Sequence, residues 1–326
     1  MKIVIPDDAP PVLGPSQAYK NLLARSPAVY YDSLPGAEER LIERIGDADI
    51  VINIRSSSKF TAKVFEACPQ MRLLSIWGTG TDNIDLPAAA SNGVTVVNTP
   101  GVSAVSMAEH SLALLLAVAR QIPRIDAQTR LGQWPRGFVS QMAGKTVGVL
   151  GLGAIGRRFA QIAGGIGMQV IAWTMHPNAA LASQWGTRLV ERDELFRTAD
   201  VVSLHLRLSP ETKGTIGRRE FEMMKPTAIF INTARGPIVD EAALVEALAT
   251  KRIAAAGLDV YDSEPLPLGH PLTKLENVVL TPHSGGVTPE ALEAGLQLSV
   301  DNIWSFLDGK PSNVVAAPAA RASRAD

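Results

Sequence analysis

Three residues in the second half of the chain could together carry acid–base chemistry on a small anion. Arg235 lies in Asn232-Thr233-Ala234-Arg235-Gly236, Glu264 in Asp262-Ser263-Glu264-Pro265, and His283 in Thr281-Pro282-His283-Ser284-Gly285-Gly286. A guanidinium can grip a carboxylate with two parallel hydrogen bonds. An imidazole can move a proton near neutral pH, and an anion beside it favours its charged form. All three residues follow Gly151-Leu152-Gly153-Ala154-Ile155-Gly156, which has the spacing of a dinucleotide-binding turn. A cation, a carboxylate and an imidazole beside a nicotinamide are what reduction of a 2-keto acid requires.

The local context supports the glycine motif. Val147-Gly148-Val149-Leu150 is a β-rich run entering it, and Arg157–Ile166 continues as a helix. Gly151 permits the tight turn, Gly153 lets a pyrophosphate approach the backbone, and Gly156 lets helix and strand pack closely. Amides near Ala154 and Ile155, at the helix start, would face the phosphates. About twenty residues on, an acid is expected to hold the ribose hydroxyls. The second strand instead ends in Trp173-Thr174-Met175-His176-Pro177. Thr174 occupies the acidic position, and no arginine follows at once to meet a 2′-phosphate. Coenzyme choice between NAD and NADP stays open on these residues, with His176 a possible phosphate contact.

Short apolar runs alternate with helical patterns along the whole chain. Strands are expected at 2–5, 50–54, 73–76, 94–98, 146–150, 169–173, 201–206, 228–232, 254–259 and 278–281. Helices are expected at 37–44, 104–121, 155–166, 240–249 and 289–307. Such alternation predicts α/β architecture with parallel, doubly wound sheets. The glycine motif stands near residue 150, so a complete α/β unit precedes it. The pattern alone allows two units in tandem. The tail from Ala316 to Asp326 has nothing to bury and is expected to be disordered.

At 326 residues, 46% apolar and 19% charged, the chain can bury the cores of about two globular domains. A net charge of −1 with no basic block argues against nucleic acid as a partner. The single cysteine, Cys68, excludes an internal disulfide and a cysteine-rich metal site, and it is expected to be a packed, inert thiol. No metal site is expected. The N-terminus reads as a first strand and not as a signal peptide, and the greasiest run, Leu112–Ala119, is too short to span a bilayer. These features predict a cytoplasmic protein with no membrane association.

The ordered motifs resemble the D-isomer-specific 2-hydroxyacid dehydrogenase family, over nearly the whole length. Besides the segments above, they include Arg55-Ser56-Ser57, Gly78-Thr79-Gly80-Thr81-Asp82-Asn83-Ile84-Asp85, Ala108-Glu109, Ala199-Asp200-Val201-Val202-Ser203-Leu204-His205 and Gly257-Leu258-Asp259-Val260. The similarity is greatest to the glycerate, hydroxypyruvate and phosphoglycerate branches. It implies a Rossmann NAD(P)-binding domain, residues 101–286, inserted in a flavodoxin-like substrate domain made of 1–100 and 287–326. It implies hydride transfer between NAD(P) and a small D-2-hydroxy acid or 2-keto acid of glyoxylate, hydroxypyruvate or phosphoglycerate type, with NAD favoured and NADP possible.

The resemblance also assigns roles. Arg235 would bind the substrate carboxylate and polarise the keto oxygen, His283 would be the general acid of reduction, and Glu264 would pair with His283. Backbone amides of Thr79 and Gly80 would hold the carboxylate from another side, and Arg55 is an even candidate for a further contact. The coenzyme would meet Gly151, Gly153, Ala154, Ile155, Gly156, Thr174, His205, Leu206, Arg207, Thr212, Thr233, Ala234, His283 and Gly285, with Asp259 receiving the carboxamide amine. Arg207 stands where the family usually has proline and is another possible 2′-phosphate contact. A homodimer is implied, through 104–121 and 125–141, the latter carrying Leu131, Trp134 and Phe138.

Each residue has a plainer reading. Any one of the five histidines would ordinarily be structural, Arg235 a solvated surface cation and Glu264 an exposed loop acid. Their strand-end placement and mutual order favour a site. Trp77 and Trp134 fit core packing or a subunit contact better than a pocket. Formate dehydrogenases carry Gln in place of Glu264 and phosphite dehydrogenases Lys in place of Thr79, so neither activity is expected. Regulated phosphoglycerate dehydrogenases add a C-terminal ligand-binding domain that a chain ending soon after Val314-Val315 is not expected to carry. The alternative function is that of a nucleotide-gated corepressor, which shares fold and triad but acts by assembly.

Overall fold

The computed structural model describes residues 1–318. The chain divides into two compact units, Met1–Ser103 with the return segment from Thr288, and Ala104–Val287.

The first unit is built on strands β1 (Ile3–Ile5), β2 (Ala28–Tyr30), β3 (Ile50–Asn53), β4 (Leu73–Ile76) and β5 (Thr95–Val97). Helices α1 (Gln17–Leu23), α2 (Glu38–Ile45), α3 (Ala62–Ala67) and α4 (Leu86–Ser91) connect them. The strand order is β5-β4-β3-β1-β2, all parallel, which is the flavodoxin-like doubly wound order. Alternation along the strands sorts side chains to two faces. Ile3, Ile5, Ile50, Ile52 and Leu73 join one core cluster, while Val4, Val51 and Leu74 join the other.

The second unit carries strands β6 (Thr146–Leu150), β7 (Gln169–Trp173), β8 (Arg188–Leu189), β9 (Val201–Leu204), β10 (Ile229–Asn232), β11 (Ala255–Leu258) and β12 (Val278–Leu280). Its helices are α5 (Ala104–Ala119), α6 (Ile122–Arg130), α7 (Ala154–Gly165), α8 (Ala179–Gln184), α9 (Arg192–Thr198), α10 (Arg218–Met223) and α11 (Glu241–Ala249). The order β12-β11-β10-β9-β6-β7-β8 is wholly parallel. Counted from β6, this is the Rossmann order with a seventh strand added. Val147, Val149, Ile229 and Ile231 pack with Leu114, Leu115 and Val118 of α5 and Phe159 of α7 on one face. Val202, Leu204, Phe230 and Leu258 pack with Phe196, Phe221 and Leu244 on the other. Both faces are covered, so the central strands are mostly apolar on both faces instead of alternating with polar residues.

After the insertion, α12 (Pro289–Leu307) and β13 (Val314–Ala316) return to the first unit. Thr288 caps α12 by accepting from the Ala291 amide, and Leu296, Val300 and Ile303 bury against β1, β3 and β4. β13 pairs antiparallel with β5. Ala316, assigned on composition to the tail, is thus the last residue of a strand. The rest of that expected tail, from 319 on, lies outside the described residues. β2, β8 and β13 escape the sequence reading because two or three residues at or near a sheet edge, partly exposed, leave little hydrophobic signal. The strand expected at 201–206 ends at Leu204, where His205 and Leu206 leave the sheet. Among the described residues no helix is long and apolar enough to cross a membrane, and no group of metal-ligating side chains occurs.

Candidate active site

In a doubly wound sheet every β-to-α connection on one edge leaves from a strand's carboxyl end, so loops distant in sequence collect there. Gly151 follows β6, Thr174 follows β7, His205 follows β9, Arg235 lies beyond β10, Glu264 beyond β11 and His283 beyond β12. The last three strands are neighbours in the sheet, and they deliver the cation, the carboxylate and the imidazole in order.

The glycine turn has the geometry its spacing predicts. Gly151 has φ +99°, a region that side chains rarely adopt, and a Cβ there would lie 2.6 Å from the carbonyl oxygen of His205. A Cβ on Gly156 would lie 2.0 Å from the carbonyl oxygen of Gly151, so no larger residue fits between helix and turn. A Cβ on Gly153 would meet nothing within 4 Å. Space is therefore open where a pyrophosphate would approach. Gly153 caps α7 without a side chain, and the first amides of that helix, at Ala154 and Ile155, have no helical acceptor. The turn fits a dinucleotide's phosphates.

His205 stands beside this turn, its ring 5.0 Å from that of Phe159 and its Nε2 2.9 Å from Ser203 Oγ. Burial pushes its imidazole down to about 3, so it is neutral. Thr174 and Trp173 line an open cavity of about 510 Å3 with Met175, Pro177, Glu191 at the N-cap of α9 and Glu194 in its first turn. Glu194 pairs with Arg188 at 3.1 Å. His176 is exposed and follows Thr174 on the same loop. Thr212 is buried and turns its hydroxyl into its own loop, donating to the Arg207 carbonyl at 2.7 Å and accepting from the Ser209 amide at 2.8 Å. Leu206 is half-buried and Arg207 exposed.

His283 Nδ1 lies 2.7 Å from Glu264 Oε2. The other oxygen, Oε1, accepts the Tyr261 amide at 3.1 Å. Burial tends to raise the Glu264 carboxyl, but the hydrogen bond and charge of His283, the Tyr261 amide and the charge of Arg235 outweigh it. The net result lies below the ordinary carboxylate range. Glu264 is thus an anion at neutral pH. His283 remains accessible, with 40% of its side chain exposed. Arg235 is half-buried, and its Nη1 donates to the Ala234 carbonyl at 2.8 Å. Asn232 secures this loop by accepting the Ala234 amide and donating to the Arg235 carbonyl. Thr233 spends its hydroxyl on Ser111 Oγ of α5 at 2.8 Å.

Asp259, assigned by resemblance to the carboxamide amine, is fully buried and meets protein donors on both oxygens. Oδ1 accepts from Thr281 Oγ1 at 2.6 Å and from the Ser284 amide at 2.9 Å, with His110 Nε2 at 3.4 Å. Oδ2 accepts from the Gly285 amide at 3.0 Å. Burial alone would raise this carboxyl, yet the donors from His110, Thr281, Ser284 and Gly285 bring it down to about 2. A Cβ on Gly285 would lie 2.7 Å from the His110 ring, so the glycine is required for this packing.

Of the other expected substrate contacts, three belong to the first unit. Thr79 and Gly80 follow β4 in a loop where the Gly78 amide donates to Thr99 Oγ1 and Asn98 donates to the Thr79 carbonyl. The amides of Thr79 and Gly80 make no hydrogen bond among the described residues. Arg55, after β3, turns its guanidinium onto the Pro10 carbonyl, 3.8 Å from the buried Asp8 and over Trp77. Trp77 packs against the core, and Cys68 is buried, with its thiol pushed up to about 11 by burial. Sequence reading missed Tyr261, His110 and Thr281, which organise the His283 loop. His110 is 149 positions from Asp259, and no spacing rule links a mid-helix histidine to a distant strand end.

Fold and strand-end site together define a dinucleotide-binding α/β protein of the dehydrogenase type. Residues 112–285 match the family model described as D-isomer specific 2-hydroxyacid dehydrogenase, NAD binding domain. The chain belongs to that family, and its second unit is the NAD(P)-binding domain. It is 40% identical over 285 residues to a D-3-phosphoglycerate dehydrogenase of Methanocaldococcus jannaschii, covering 86% of this chain and 54% of that protein. It is 36% identical to a glyoxylate reductase of Korarchaeum cryptofilum, covering 88% of each. The chain thus spans about half the length of the phosphoglycerate dehydrogenases it matches, but most of the glyoxylate reductase. Among solved structures it is similar to the TT0316 protein of Thermus thermophilus, with 34% identity, TM-score 0.87 and coverage of 97% and 100%. It is equally similar to an acyclic imino acid reductase, Bsp5, in complex with NADPH and D-Arg, with 33% identity, TM-score 0.88 and coverage of 97% and 100%.

Proposed function

We propose that the protein is an NAD(P)-dependent dehydrogenase of small D-2-hydroxy acids, working as a reductase of a glyoxylate- or hydroxypyruvate-type 2-keto acid. Phosphoglycerate is a further candidate substrate. The observation that carries the reading is the 2.7 Å contact between accessible His283 and ionised Glu264, one strand over from Arg235. The bound coenzyme supplies the hydride that adds to the keto carbon. His283 gives its proton to the keto oxygen as charge develops there, and Glu264 stabilises the imidazolium form that must be present beforehand. Arg235 holds the carboxylate and polarises the carbonyl, an interaction that strengthens in the transition state. The unbonded amides of Thr79 and Gly80 suit a carboxylate oxygen, and Arg55 remains a candidate for the distal end of the substrate.

Coverage of the glyoxylate reductase over most of both chains supports the smaller substrates. NAD is the favoured coenzyme. Glu191 lines the cavity beside Thr174, is in no ion pair among the described residues, and disfavours a 2′-phosphate. NADP is the second choice, supported by the NADPH complex of the imino acid reductase and by exposed His176 and Arg207. Thr174→Asp should penalise NADPH relative to NADH by about 1–4 kcal/mol, a charge–charge clash near the surface. An unmoved ratio of kcat/KM values would take Thr174 away from the ribose.

The protein is further proposed to act in the cytoplasm as a homodimer through its second unit. Leu131, Trp134 and Phe138 support this, since they stand 78%, 74% and 104% exposed in a segment with nothing of its own to bury. A monomer by light scattering at micromolar concentration would refute it. The decisive assay is turnover of a panel of 2-keto acids with NADH and NADPH. Absence of turnover across the panel, with coenzyme still bound, would favour the corepressor-like reading.

A further inference from the structure

The acid expected after β7 to hold the adenosine ribose is absent, since Thr174 stands there. The sheet supplies a carboxylate one strand over. β7 and β8 run parallel with Ile171 opposite Arg188 and Ala172 opposite Leu189, and the Val190 amide continues the ladder onto the Ala172 carbonyl at 2.9 Å. Carried two residues further, that register sets Glu191 beside Thr174, and both line the same open cavity. Neighbouring strands lie about 4.8 Å apart, a gap that a glutamate side chain spans. Glu191 is also available. It is exposed at the N-cap of α9, a position that Ser, Thr, Asp and Asn fill to stabilise a helix, yet its side chain caps nothing. Its carboxylate makes no hydrogen bond or ion pair among the described residues. The nearby cations are committed. Arg192 gives Nη1 to Glu220 at 3.1 Å and Nη2 to the Thr215 carbonyl, and Arg188 pairs with Glu194.

We propose that Glu191 selects the coenzyme, its carboxylate replacing the missing acid and accepting hydrogen bonds from the 2′- and 3′-hydroxyls of the adenosine ribose. This deepens the NAD preference proposed above and rests on the second unit's being the coenzyme domain. The argument is one of reach and charge. Glutamate is one methylene longer than aspartate, which suits a carboxylate that enters from the β8–α9 connection and not from the end of β7. A carboxylate can accept two hydroxyl donors at once, and hydrogen bonds to an ionised acceptor are the stronger kind. A phosphate on the 2′-oxygen removes one of those donors and sets an anion against an anion. Arg192 and Arg188 already face carboxylates of their own, so neither offsets that repulsion.

Titrating NADH and NADPH onto the protein, followed by nicotinamide fluorescence, tests this without turnover. The parent should bind NADH the more tightly. Glu191→Gln should weaken NADH about fivefold and tighten NADPH about fivefold, so the NADPH-to-NADH ratio of Kd values falls about 25-fold. Folding is not at stake, because the residue is exposed and caps nothing. Asp193→Asn removes the same charge from the same helical turn, outside the cavity, where Asp193 pairs with Arg219 at 2.6 Å. The ratio should not move there. Adding Thr174→Asp to Glu191→Gln returns an acid to the end of β7 and should restore the preference for NADH. A parent that prefers NADPH, or an unmoved ratio in Glu191→Gln, would overturn the proposal. So would equal weakening of both coenzymes, which would place the carboxylate at the adenine, an equal shift in Asp193→Asn, or failure of the double variant to recover. Failure of the dehydrogenase reading is separable, since it would show as coenzyme bound without turnover of any keto acid.

Discussion

Two histidine–carboxylate pairs occupy the carboxyl edge of the same sheet, and they are built for opposite ends. In His283–Glu264 the side chains are 40% and 36% exposed. In His110–Asp259 they are 21% and 0% exposed. Among the described residues Glu264 accepts one hydrogen bond besides that of its histidine, from the Tyr261 amide. Asp259 has three, all from the segment around His283. Burial with several donors makes an anion a structural anchor, because the desolvation cost is met by hydrogen bonds that cannot rearrange cheaply. Accessibility with one donor leaves an acid–base pair able to meet a substrate and exchange protons. A histidine beside a carboxylate is therefore no marker of catalysis. A third pair, His270–Glu241 at 3.0 Å, is likewise mostly buried, and His270 also accepts the Leu272 amide at a short helical turn.

The largest expected effect tests the open side of the contrast. Arg235→Ala should reduce turnover a hundredfold or more, about 3 kcal/mol of transition-state stabilisation, while coenzyme binding stays nearly intact. Activity within a few-fold of the parent would remove Arg235 from the chemistry. The next pits the two histidines against each other. His283→Asn keeps a residue type that tolerates positive φ and should cost about 100-fold or more in rate with little change in Tm. His110→Asn should instead cost about 1–3 kcal/mol of stability, from a buried anion losing a donor. It should lose activity only in part. Equal Tm changes in thermal melts would collapse the distinction.

The smallest expected effect is a displacement in pH. Glu264 sits below the ordinary carboxylate range, so the pair is intact from neutral pH down to acid values and is lost only as pH falls through that depressed value. Glu264→Gln removes the anion that favours imidazolium. Reduction needs that protonated form, so its decline with rising pH should begin at lower pH. A superimposable pH–rate profile would show that the 2.7 Å contact does not govern protonation.

Much of this was legible before folding was considered. Gly151, Gly153 and Gly156 announced their turn, because each spacing meets a separate steric demand that only glycine satisfies. Alternating apolar runs announced parallel sheets, since strands covered on both faces have no polar side to show. Arg235, Glu264 and His283 were nameable because short motifs at strand ends carry them. The edge strands were illegible, being too short and too exposed to leave a pattern.

What the sequence by itself determined was the class of site and the strand ends that supply it. Only the tertiary structure decided how His283 is held. The hold depends on Thr281, Ser284, Gly285 and His110 meeting at the buried Asp259 carboxylate, on Tyr261 at the Thr281 carbonyl and on a His283 φ of 55°. Those contacts are fixed by strand order, and strand order brings β11 beside β12, and α5 onto the face of both. Hydrogen-bond partners in a folded chain are set by distance in space, which residue spacing along a helix or strand encodes only locally.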